Sequence, residues 1–563
     1  MMTICDKRQS VLDHNGHILV EGGPGAGKTT LALLKAHTIL NDGLLKKNQK
    51  ILFLSFARAT ISRIDEQAKH LISGANKRNL EINTYHGFTW SIIQSHGYLL
   101  VRHRKLKLIS PPNFAASSAG IGNKKDLIDY KYNLLDKDGI LCFDLFAEVA
   151  SNLLEKSQKI CDLLSDTYPY IIVDEFQDTD SNEWKIVQLL GRKSNIIALA
   201  DLNQRIFEFR GASVKRIPEF VEYFNCLRID LGKENNRSSG LDIVQFGDDL
   251  LTGKNKGKKY KNVQILMYRF YRSDTRLPLF LTLQNAFARK KADKGNSDWS
   301  LAILVKRKSD TLKISSYLTS KKISHDVVID PEGPSLSAAI IAKVMEPTND
   351  WGIDTLIRYI VHHIKGRKGA RISQADLKIV SFLESYVPGN KIAGAKRKVL
   401  IDEIEKIVVQ RNNIAFTGGP DKDWILVRNL FQNSAHEILR NIYEDAIYLR
   451  LLNKGALLLS KLTEKWRDSK AYFRASILVE EALTQEHFAM TNRKYTGIFV
   501  MNLHKSKGKE FDEVIIWEEL YNPIVNLDPK RIEQDKLVLR VAVTRAKKLT
   551  SFLTPTSQPC VLL

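Results

Sequence analysis

The chain has 563 residues, of which 44% are hydrophobic, and a formal net charge of +22. At roughly 100–200 residues per domain, this length excludes a single compact core and predicts about three to five domains. No segment approaches the roughly 20 consecutive apolar residues of a membrane span, and Asp6, Lys7 and Arg8 stand where a signal peptide needs an apolar core. We therefore expect a cytoplasmic protein without a membrane partner. The five cysteines are scattered and contain no C-x-x-C pair, which argues against disulfides and a structural zinc site.

Positive charge is spread through the chain and favours a polyanionic partner. Lys and Arg number 85 against 63 acidic residues, and dense basic runs lie at residues 102–107, 254–261, 306–308 and 365–371. Any one run is more often a solvated face than a binding site. Together they favour nucleic acid over an acidic protein or a lipid surface.

The first predicted elements form a phosphate-binding loop. An apolar strand at residues 17–20 leads into a glycine-rich loop, and a helix-like segment begins at Leu31. The glycines let backbone N–H groups close around phosphates, Lys28 adds a point charge, and the hydroxyl of Thr29 can bind Mg²⁺. The predicted nucleotide-binding residues of the loop are Gly22, Gly23, Pro24, Gly25, Ala26, Gly27, Lys28, Thr29 and Thr30.

Aromatic and basic residues lie beside several further predicted strands. This holds for the strands at residues 51–55 and 196–204 and for the segment 501–511, which precedes a strand at 514–517. Rings and cations at strand ends suit a channel that stacks bases and tracks phosphates. The alternative, that the phenylalanines belong to the hydrophobic core, stays open. The candidate residues for binding a nucleic-acid strand are Phe56, Arg58, Phe207, Phe209, Arg210 and His504.

Residues 171–178 predict a buried parallel strand that ends in two acids, Asp174 and Glu175, followed by Gln177. The alternative is a strand that runs into an ordinary polar turn. Because the same chain carries a phosphate loop, Asp174 is the candidate partner of Mg²⁺ and Glu175 the candidate base that orients water. The two patterns together predict nucleotide hydrolysis.

The order of the motifs resembles the UvrD/Rep/PcrA family of superfamily 1 helicases over almost the whole chain. The motifs that carry the resemblance are the phosphate loop, Ser55-Phe-Ala-Arg58, Thr84-Tyr-His-Gly-Phe88, Asp174-Glu-Phe-Gln-Asp178, the segment 201–212, Asn236-Arg-Ser238, the segment 504–511 and Val543-Thr-Arg-Ala546.

The resemblance implies roles for individual residues. It implies that Gln9 reads the adenine edge and that Glu510 lies near the ribose. Gln204 would connect the γ-phosphate with the strand-binding segment, and Arg237 and Arg545 would stabilise the transferring phosphoryl group. The positions that match the family's single-strand channel are Phe56, His86, Phe207, Phe209, Arg210 and His504.

Two positions depart from the family pattern at the adenine ring. The Arg that commonly follows the phosphate-loop Thr is Thr30 here, and the Tyr that commonly precedes the second-domain Arg is Asn236. Neither side chain can stack on a base, so we expect looser base selectivity or weaker ATP affinity than in the relatives. Ala200 also replaces a usual Gly before Asp201.

Motif spacing and the resemblance predict an α/β protein with two RecA-like parallel-sheet domains, each with a mostly helical inserted subdomain. The first RecA-like domain would comprise residues 1–95 and 140–213, with an insertion at 96–139. The second would comprise residues 214–347 and 492–563, with a helical insertion at 348–491, where residues 398–408 and 437–447 have helical spacing. ATP and Mg²⁺ would bind between the RecA-like domains, because Lys28 lies in one and Arg545 in the other.

The resemblance implies ATP-driven 3′→5′ translocation on single-stranded DNA and unwinding of tailed double-stranded DNA. An alternative is a DNA- and nucleotide-sensing ATPase that works with a separate nuclease subunit, as in Gabija-type anti-phage systems. It arises because the chain ends 18 residues after Arg545, so that we expect no fused nuclease. A third interpretation, a phosphate-loop enzyme acting on small molecules, explains neither the aromatic residues nor the paired arginines.

Overall fold

The structure is a computed structural model of the chain. It describes residues 4–56, 58–101, 105–204, 213, 215–232, 238, 240–269, 274–293, 298–328, 332–369, 372–447, 457–488, 495–529 and 531–563. Within these ranges, every helix is too short or too polar to cross a membrane.

The strands of the described chain follow the apolar runs of the sequence. They are β1 (Ile18–Glu21), β2 (Ile51–Ser55), β3 (Leu80–Thr84), β4 (Lys107–Ile109), β5 (Ile140–Cys142), β6 (Tyr170–Val173), β7 (Asn195–Ala200), β8 (Leu227–Asp230), β9 (Val263–Tyr268), β10 (Ser300–Val305), β11 (Asp326–Val328), β12 (Gly497–Asn502), β13 (Phe511–Trp517) and β14 (Ala546–Pro555).

The helices lie between these strands and in one long helical stretch. They are α1 (Asp6–Asp13), α2 (Lys28–Asn41), α3 (Arg58–Leu71), α4 (Gly74–Lys77), α5 (Tyr85–His96), α6 (Pro111–Ser117), α7 (Lys124–Asp138), α8 (Phe146–Lys156), α9 (Gln158–Thr167), α10 (Ser181–Leu190), α11 (Arg216–Phe224), α12 (Ile243–Thr252), α13 (Leu277–Ala292), α14 (Lys308–Ser320), α15 (Glu332–Met345), α16 (Ile353–Lys368), α17 (Gln374–Glu384), α18 (Ala395–Asn412), α19 (Pro420–Asn429), α20 (Glu437–Ile447), α21 (Leu457–Ser469), α22 (Ala475–Phe488) and α23 (Ile532–Val543).

The first sheet has the strand order β3-β2-β6-β7-β1-β8, and every pairing in it is parallel. Its central strands are continuous apolar runs because helices cover both faces of a parallel sheet. The carboxyl ends of parallel strands meet at one edge, which is where open α/β sheets bind ligands. The phosphate loop follows β1 at this edge, Asp174 follows β6, and Asp201 follows β7.

The second sheet has the order β11-β12-β10-β13-β14-β9 and is also parallel. Side chains of β10 alternate between two cores: Ala302 and Leu304 pack into one, while Leu301, Ile303 and Val305 pack into the other. Two parallel six-stranded sheets confirm the predicted pair of RecA-like domains.

The chain forms two compact units. One comprises Met1–Ile93, Ala147–Ile329 and Met490–Leu563 and holds both six-stranded sheets. The other comprises Gln94–Phe146 and Asp330–Ala489. Strand β8 pairs with β1 in the first sheet, although it follows the domain boundary at residue 213 that the motifs suggested. The individual domain boundaries stay predictions.

The second unit is mostly helical, as expected for the insertions. Helices α15 to α22 bury one large apolar cluster, centred on residues such as Ile341, Ile360 and Ile404. Helix α6 packs against α15 and α16, and β4 and β5 form a small parallel sheet. The segments with helical spacing at 398–408 and 437–447 lie in α18 and α20.

Candidate active site

The phosphate loop joins β1 to α2 and has a closed backbone conformation. Gly25 and Gly27 have φ of +79° and +87°, the left-handed region that glycine adopts at little cost. The Nζ atom of Lys28 donates to the carbonyls of Gly22, at 2.7 Å, and Gly23, at 3.1 Å. Lys28 therefore lies over the loop, with its charge where an anion would be bound.

Asp174 and Glu175 lie at the carboxyl end of β6. The Asp174 N–H donates to the Leu54 carbonyl at 2.9 Å, and its side chain is buried. Burial and the neighbouring Glu175 raise the pKa of Asp174 to about 6, against the effect of Arg63 and Lys28. The Asp174 carboxyl therefore holds a proton more tightly than an ordinary aspartate does.

Glu175 has a different electrostatic environment from Asp174. Its φ of +52° places it in the left-handed region, which is uncommon outside glycine and marks a backbone held by its surroundings. Burial by itself raises the pKa of Glu175. The positive charges of Lys507 and Lys28, with the Gln177 hydrogen bond and the charge of Arg545, together outweigh burial and hold this pKa below its usual value. Glu175 is therefore an ionised carboxylate at neutral pH, as a base that orients water must be.

Buried amides connect Glu175 with the next strand end. The Nε2 atom of Gln177 donates to Glu175 Oε2 at 2.6 Å, and its Oε1 atom accepts from the Asp201 N–H at 3.0 Å. The Nε2 atom of Gln204 donates to Asp201 Oδ2 at 2.7 Å. Gln177, Asp201 and Gln204 are all nearly inaccessible to solvent. The candidate base and the predicted sensor thus belong to one polar network.

The same network reaches the second-sheet part of the chain through Arg545. Arg545 follows α23 and is buried; its Nε atom donates to the Val541 carbonyl at 2.8 Å and its Nη2 atom to Gln204 Oε1 at 3.2 Å. Arg540, in the last turn of α23, donates to the carbonyl of Asn203 at 3.2 Å. The end of α23 is therefore tied to the turn at residues 202–204.

Lys507 was not predicted as a site residue from the sequence, yet it contacts several groups of this site. It is buried; its Nζ atom donates to the Asp178 carboxylate and, at 2.6 Å, to the Gln204 carbonyl, and it lies 3.7 Å from Glu175 Oε2. The only sequence signal was its place between His504 and Glu510 in a lysine-rich motif. A motif with three lysines at alternate positions does not reveal which of them faces the acids.

Two family models match this chain. The model described as UvrD/REP helicase N-terminal domain matches residues 5–131 and 124–225, and the one described as UvrD-like helicase C-terminal domain matches residues 452–554. The chain belongs to the UvrD/Rep helicase family. The motifs that carried the resemblance fall largely within these matched ranges.

The relatives are distant in sequence, but some of them align with almost the whole chain. The chain is 24% identical to a protein of Lactococcus lactis subsp. cremoris that is named as a subunit of an ATP-dependent helicase/nuclease, over 66% of this chain and 35% of that protein. It is 22% identical to a probable DNA helicase II homolog of Rickettsia felis over 96% of this chain and 90% of that protein. It is 24% identical to the ATP-dependent DNA helicase Rep of Escherichia coli over 42% of this chain and 41% of that protein. The chain spans about a third of the length of the helicase/nuclease relatives.

Two other predicted nucleotide residues of this UvrD/Rep family member contact neighbouring side chains of the protein. Gln9 is exposed on α1 and donates to Asp13 Oδ1 at 2.8 Å. Glu510 accepts from Arg63, which lies on α3. Their roles toward adenine and ribose stay predictions. Arg237 and Asn236 lie outside the described residues.

The structure describes some of the residues that we predict to bind a nucleic-acid strand. Phe56 is half-buried and stacks on Tyr85, with ring centroids 4.6 Å apart, so it packs partly as a core residue. His86 lies in the first turn of α5, and Arg58 begins α3. His504 lies in the turn after β12, where burial lowers the pKa of its imidazole. Phe207, Phe209 and Arg210 lie outside the described residues.

The donor set at the site fits a hard divalent cation. In the described ranges, no group of three or more His, Cys, Asp or Glu side chains could hold a metal ion by itself. The buried Asp174 carboxylate beside Lys28, together with the Thr29 hydroxyl at the start of α2, offers the oxygen ligands that Mg²⁺ prefers when phosphate oxygens complete its shell.

Replacing Gly22 by Ala should lower the free energy of unfolding by about 1–3 kcal/mol, because an added methyl group overpacks the loop. A Cβ atom at this position would lie 3.1 Å from Ala26 Cβ and 3.2 Å from Leu231 Cβ. Gly23→Ala is the matched control, since a Cβ atom there meets nothing within 4 Å. Denaturant unfolding of both variants without nucleotide measures the difference. Equal stability of the two would contradict the packing argument.

Proposed function

We propose that this protein is an ATP-dependent DNA helicase that moves 3′→5′ along single-stranded DNA. The observation that carries the proposal is the buried network that links Glu175 to Lys507 and Arg545. Glu175 follows a strand of the first sheet, whereas Lys507 and Arg545 lie beside strands of the second. An enzyme that converts hydrolysis into movement needs the hydrolytic group of one domain to be coupled to the other domain. Family membership and the excess of positive charge support DNA as the polymer.

ATP and Mg²⁺ would be held at the loop edge of the first sheet. Lys28 would bind the terminal phosphates, while Thr29 and Asp174 would ligate Mg²⁺, whose charge offsets that of the phosphates when it is bound. The ionised Glu175 would accept a hydrogen bond from the attacking water and orient it. Arg545 would add positive charge opposite, and Arg237 would act with it by the family pattern.

Coupling would run through Gln204. Its side chain contacts both Asp201 and Arg545, and its carbonyl contacts Lys507. A change in charge at Glu175 would alter the contacts of Gln177 and Lys507, and through them the position of Gln204. The segment that follows Gln204 contains Phe207, Phe209 and Arg210, which we propose to contact the single strand together with Phe56, Arg58, His86 and His504.

The test of the proposal is a pair of assays on the full chain. ATP hydrolysis should rise strongly when single-stranded DNA is added, and strand displacement should require a 3′ tail and fail on a 5′ tail. Phe207→Ala and Phe209→Ala should lower DNA-stimulated turnover, with turnover in the absence of DNA preserved as the control. Hydrolysis that does not respond to DNA would refute the proposal, and displacement from 5′ tails would refute the polarity.

A second candidate function is that of an ATPase that works beside a separate nuclease, including a DNA-sensing role in phage defence. The observation that favours a nuclease partner is that several relatives are named as subunits of a helicase/nuclease. In that case the isolated chain should bind DNA and hydrolyse ATP but displace no strand until its partner is added. A complete strand-displacement reaction by the isolated chain would argue against this candidate.

We predict that the four common NTPs are hydrolysed with kcat/KM values within about tenfold of one another, because stacking contributes about 1–3 kcal/mol that Thr30 and Asn236 cannot supply. Steady-state kinetics with ATP, GTP, CTP and UTP measure this. The double variant Thr30→Arg with Asn236→Tyr should restore a preference for purine nucleotides. A strictly ATP-specific profile of the unaltered chain would show the prediction to be wrong.

A further inference from the structure

The edge strand β9 of the second sheet has an unusual surface. Among the described residues its one neighbour is β14, and the opposite backbone edge faces away from the sheet. Three consecutive apolar residues of β9 are exposed: Ile265 by 39%, Leu266 by 38% and Met267 by 59%. A strand normally alternates between a buried and an exposed face, so exposure of consecutive apolar residues means that both faces of β9 are accessible here.

The backbone of β9 offers hydrogen bonds on its outer edge. The Thr550 N–H donates to the Asn262 carbonyl at 3.1 Å, and the Thr556 N–H donates to the Tyr268 carbonyl at 2.8 Å. In a parallel ladder the groups that face one neighbour belong to alternate residues. The N–H and C=O groups of Val263, Ile265 and Met267 therefore point away from β14. An exposed apolar strand with such an edge is a template for a further strand.

A cavity of about 570 Å³ adjoins the start of this strand. Its lining includes Val263 and Gln264 of β9, Trp299, and the basic side chains of Arg289, Lys290 and Lys548. The Lys290 ammonium lies 5.1 Å from the centre of the Trp299 ring. The acids of the lining already have basic partners, since Glu513 pairs with Arg289 at 2.6 Å and Asp293 with Lys548 at 2.7 Å.

The chain segment that contains β9 carries charge of one sign. Residues 254–269 contain Lys254, Lys256, Lys258, Lys259, Lys261 and Arg269 and no acidic residue. Lys547 and Lys548 begin the neighbouring strand β14 and are exposed. A ligand of this edge gains from negative charge at its flanks.

We propose that β9 is a docking strand for an extended, acidic segment of a partner protein. The segment would add to the outer edge of β9 by main-chain hydrogen bonds, cover Ile265 and Met267, and place a side chain in the cavity beside Trp299. Strand addition of this kind takes affinity from the backbone and specificity from the side-chain pocket.

The observations favour a protein segment over the two other possible occupants. A second copy of the chain would bring another +22 of charge and the same basic run to the interface. Nucleic acid would satisfy the lysines, but it has no strand backbone to pair with β9 and would gain little from the exposed Met267. Both occupants remain outcomes of the test.

The probe for the test is a fluorescent peptide of about eight residues that alternates Glu with Val. Its control has the same sequence with alternate backbone nitrogens methylated, which keeps the charge and removes strand pairing. The unmethylated peptide should bind the full chain at least tenfold more tightly, and hydrogen exchange should slow at residues 263–268 when it binds. Met267→Glu and Ile265→Pro should each weaken binding at least tenfold.

The matched control variant is Leu163→Glu, which adds the same charge at an exposed apolar residue of α9. It should bind the peptide as the unaltered chain does, and DNA-stimulated ATP hydrolysis of all three variants should be unchanged. If the methylated peptide bound equally well, charge alone would explain the binding and the proposal would be overturned. Displacement of the peptide by an oligothymidylate would assign the edge to nucleic acid. Concentration-dependent self-association that Met267→Glu abolishes would assign it to a second copy.

Discussion

Replacement of Glu175 by Gln should lower the rate of DNA-stimulated ATP hydrolysis by about 10²–10⁴-fold while nucleotide affinity changes little. The substitution keeps the size of the side chain and an oxygen that can accept from Gln177, whose Nε2 atom lies 2.6 Å from the carboxylate. It removes the negative charge that Lys507 and Lys28 stabilise, as shown by the lowered pKa of Glu175. A neutral amide cannot orient water as a carboxylate base does.

The measurement is the steady-state rate at saturating ATP and single-stranded DNA, with nucleotide binding measured separately. Glu222→Gln is the matched control, since Glu222 is exposed on α11. A loss of turnover of less than about tenfold would remove Glu175 from the role of base. Loss of nucleotide binding in parallel would instead indicate a collapsed loop, which the unfolding transition would reveal.

Replacement of Lys507 by Met should lower stability by about 3–5 kcal/mol, the usual cost of removing one partner of a buried ion pair. Lys507 is nearly inaccessible, and it pairs with the buried Asp178 carboxylate. Met matches the length of the side chain, so the loss of charge dominates. We also expect at least a tenfold loss of DNA-stimulated turnover, because the Glu175 carboxylate and the Gln204 carbonyl both lose a contact.

A double-mutant cycle separates the pair from its surroundings. Asp178→Asn alone should also destabilise the chain, and the double variant Lys507→Met with Asp178→Asn should lose less than the sum of the two single changes. Lys547→Met is the control, since Lys547 is exposed on β14. Additive losses in denaturant unfolding would mean that the two residues do not form a coupled pair.

Apolar runs in the sequence predicted individual strands because each strand is a local property, whereas the pair of parallel sheets followed from the motif spacing and the family resemblance. The run at residues 171–173 is apolar and β-branched, and it lies in β6 at the centre of the first sheet. The phosphate loop is equally local, since strand, glycines and helix are contiguous. Domain boundaries are harder to predict from the sequence. Strand β8 belongs to the first sheet although it comes after the motif segment 201–212. A short strand of alternating exposure carries little sign of which sheet it will join.

Several residues of the candidate site could be predicted because a motif stands beside a strand end. Lys28, Asp174 and Glu175 lie at the same edge of one parallel sheet, so strand topology alone brings them together. Lys507 was missed because nothing local distinguishes it from Lys505 or Lys509. The exposed edge of β9 was also invisible in the sequence, where Ile265, Leu266 and Met267 look like an ordinary buried strand.

The sequence by itself determined the fold class, the family and the glycine-rich loop after β1, because these depend on short contiguous motifs and on their order along the chain. Only the tertiary structure decided which charges are paired. Lys507 and Asp178 are 329 residues apart in the chain, and Arg545 and Gln204 are 341 apart. Such contacts depend on how two sheets are joined through buried polar groups, and each of those groups is stable there only because its distant partner compensates the cost of burial.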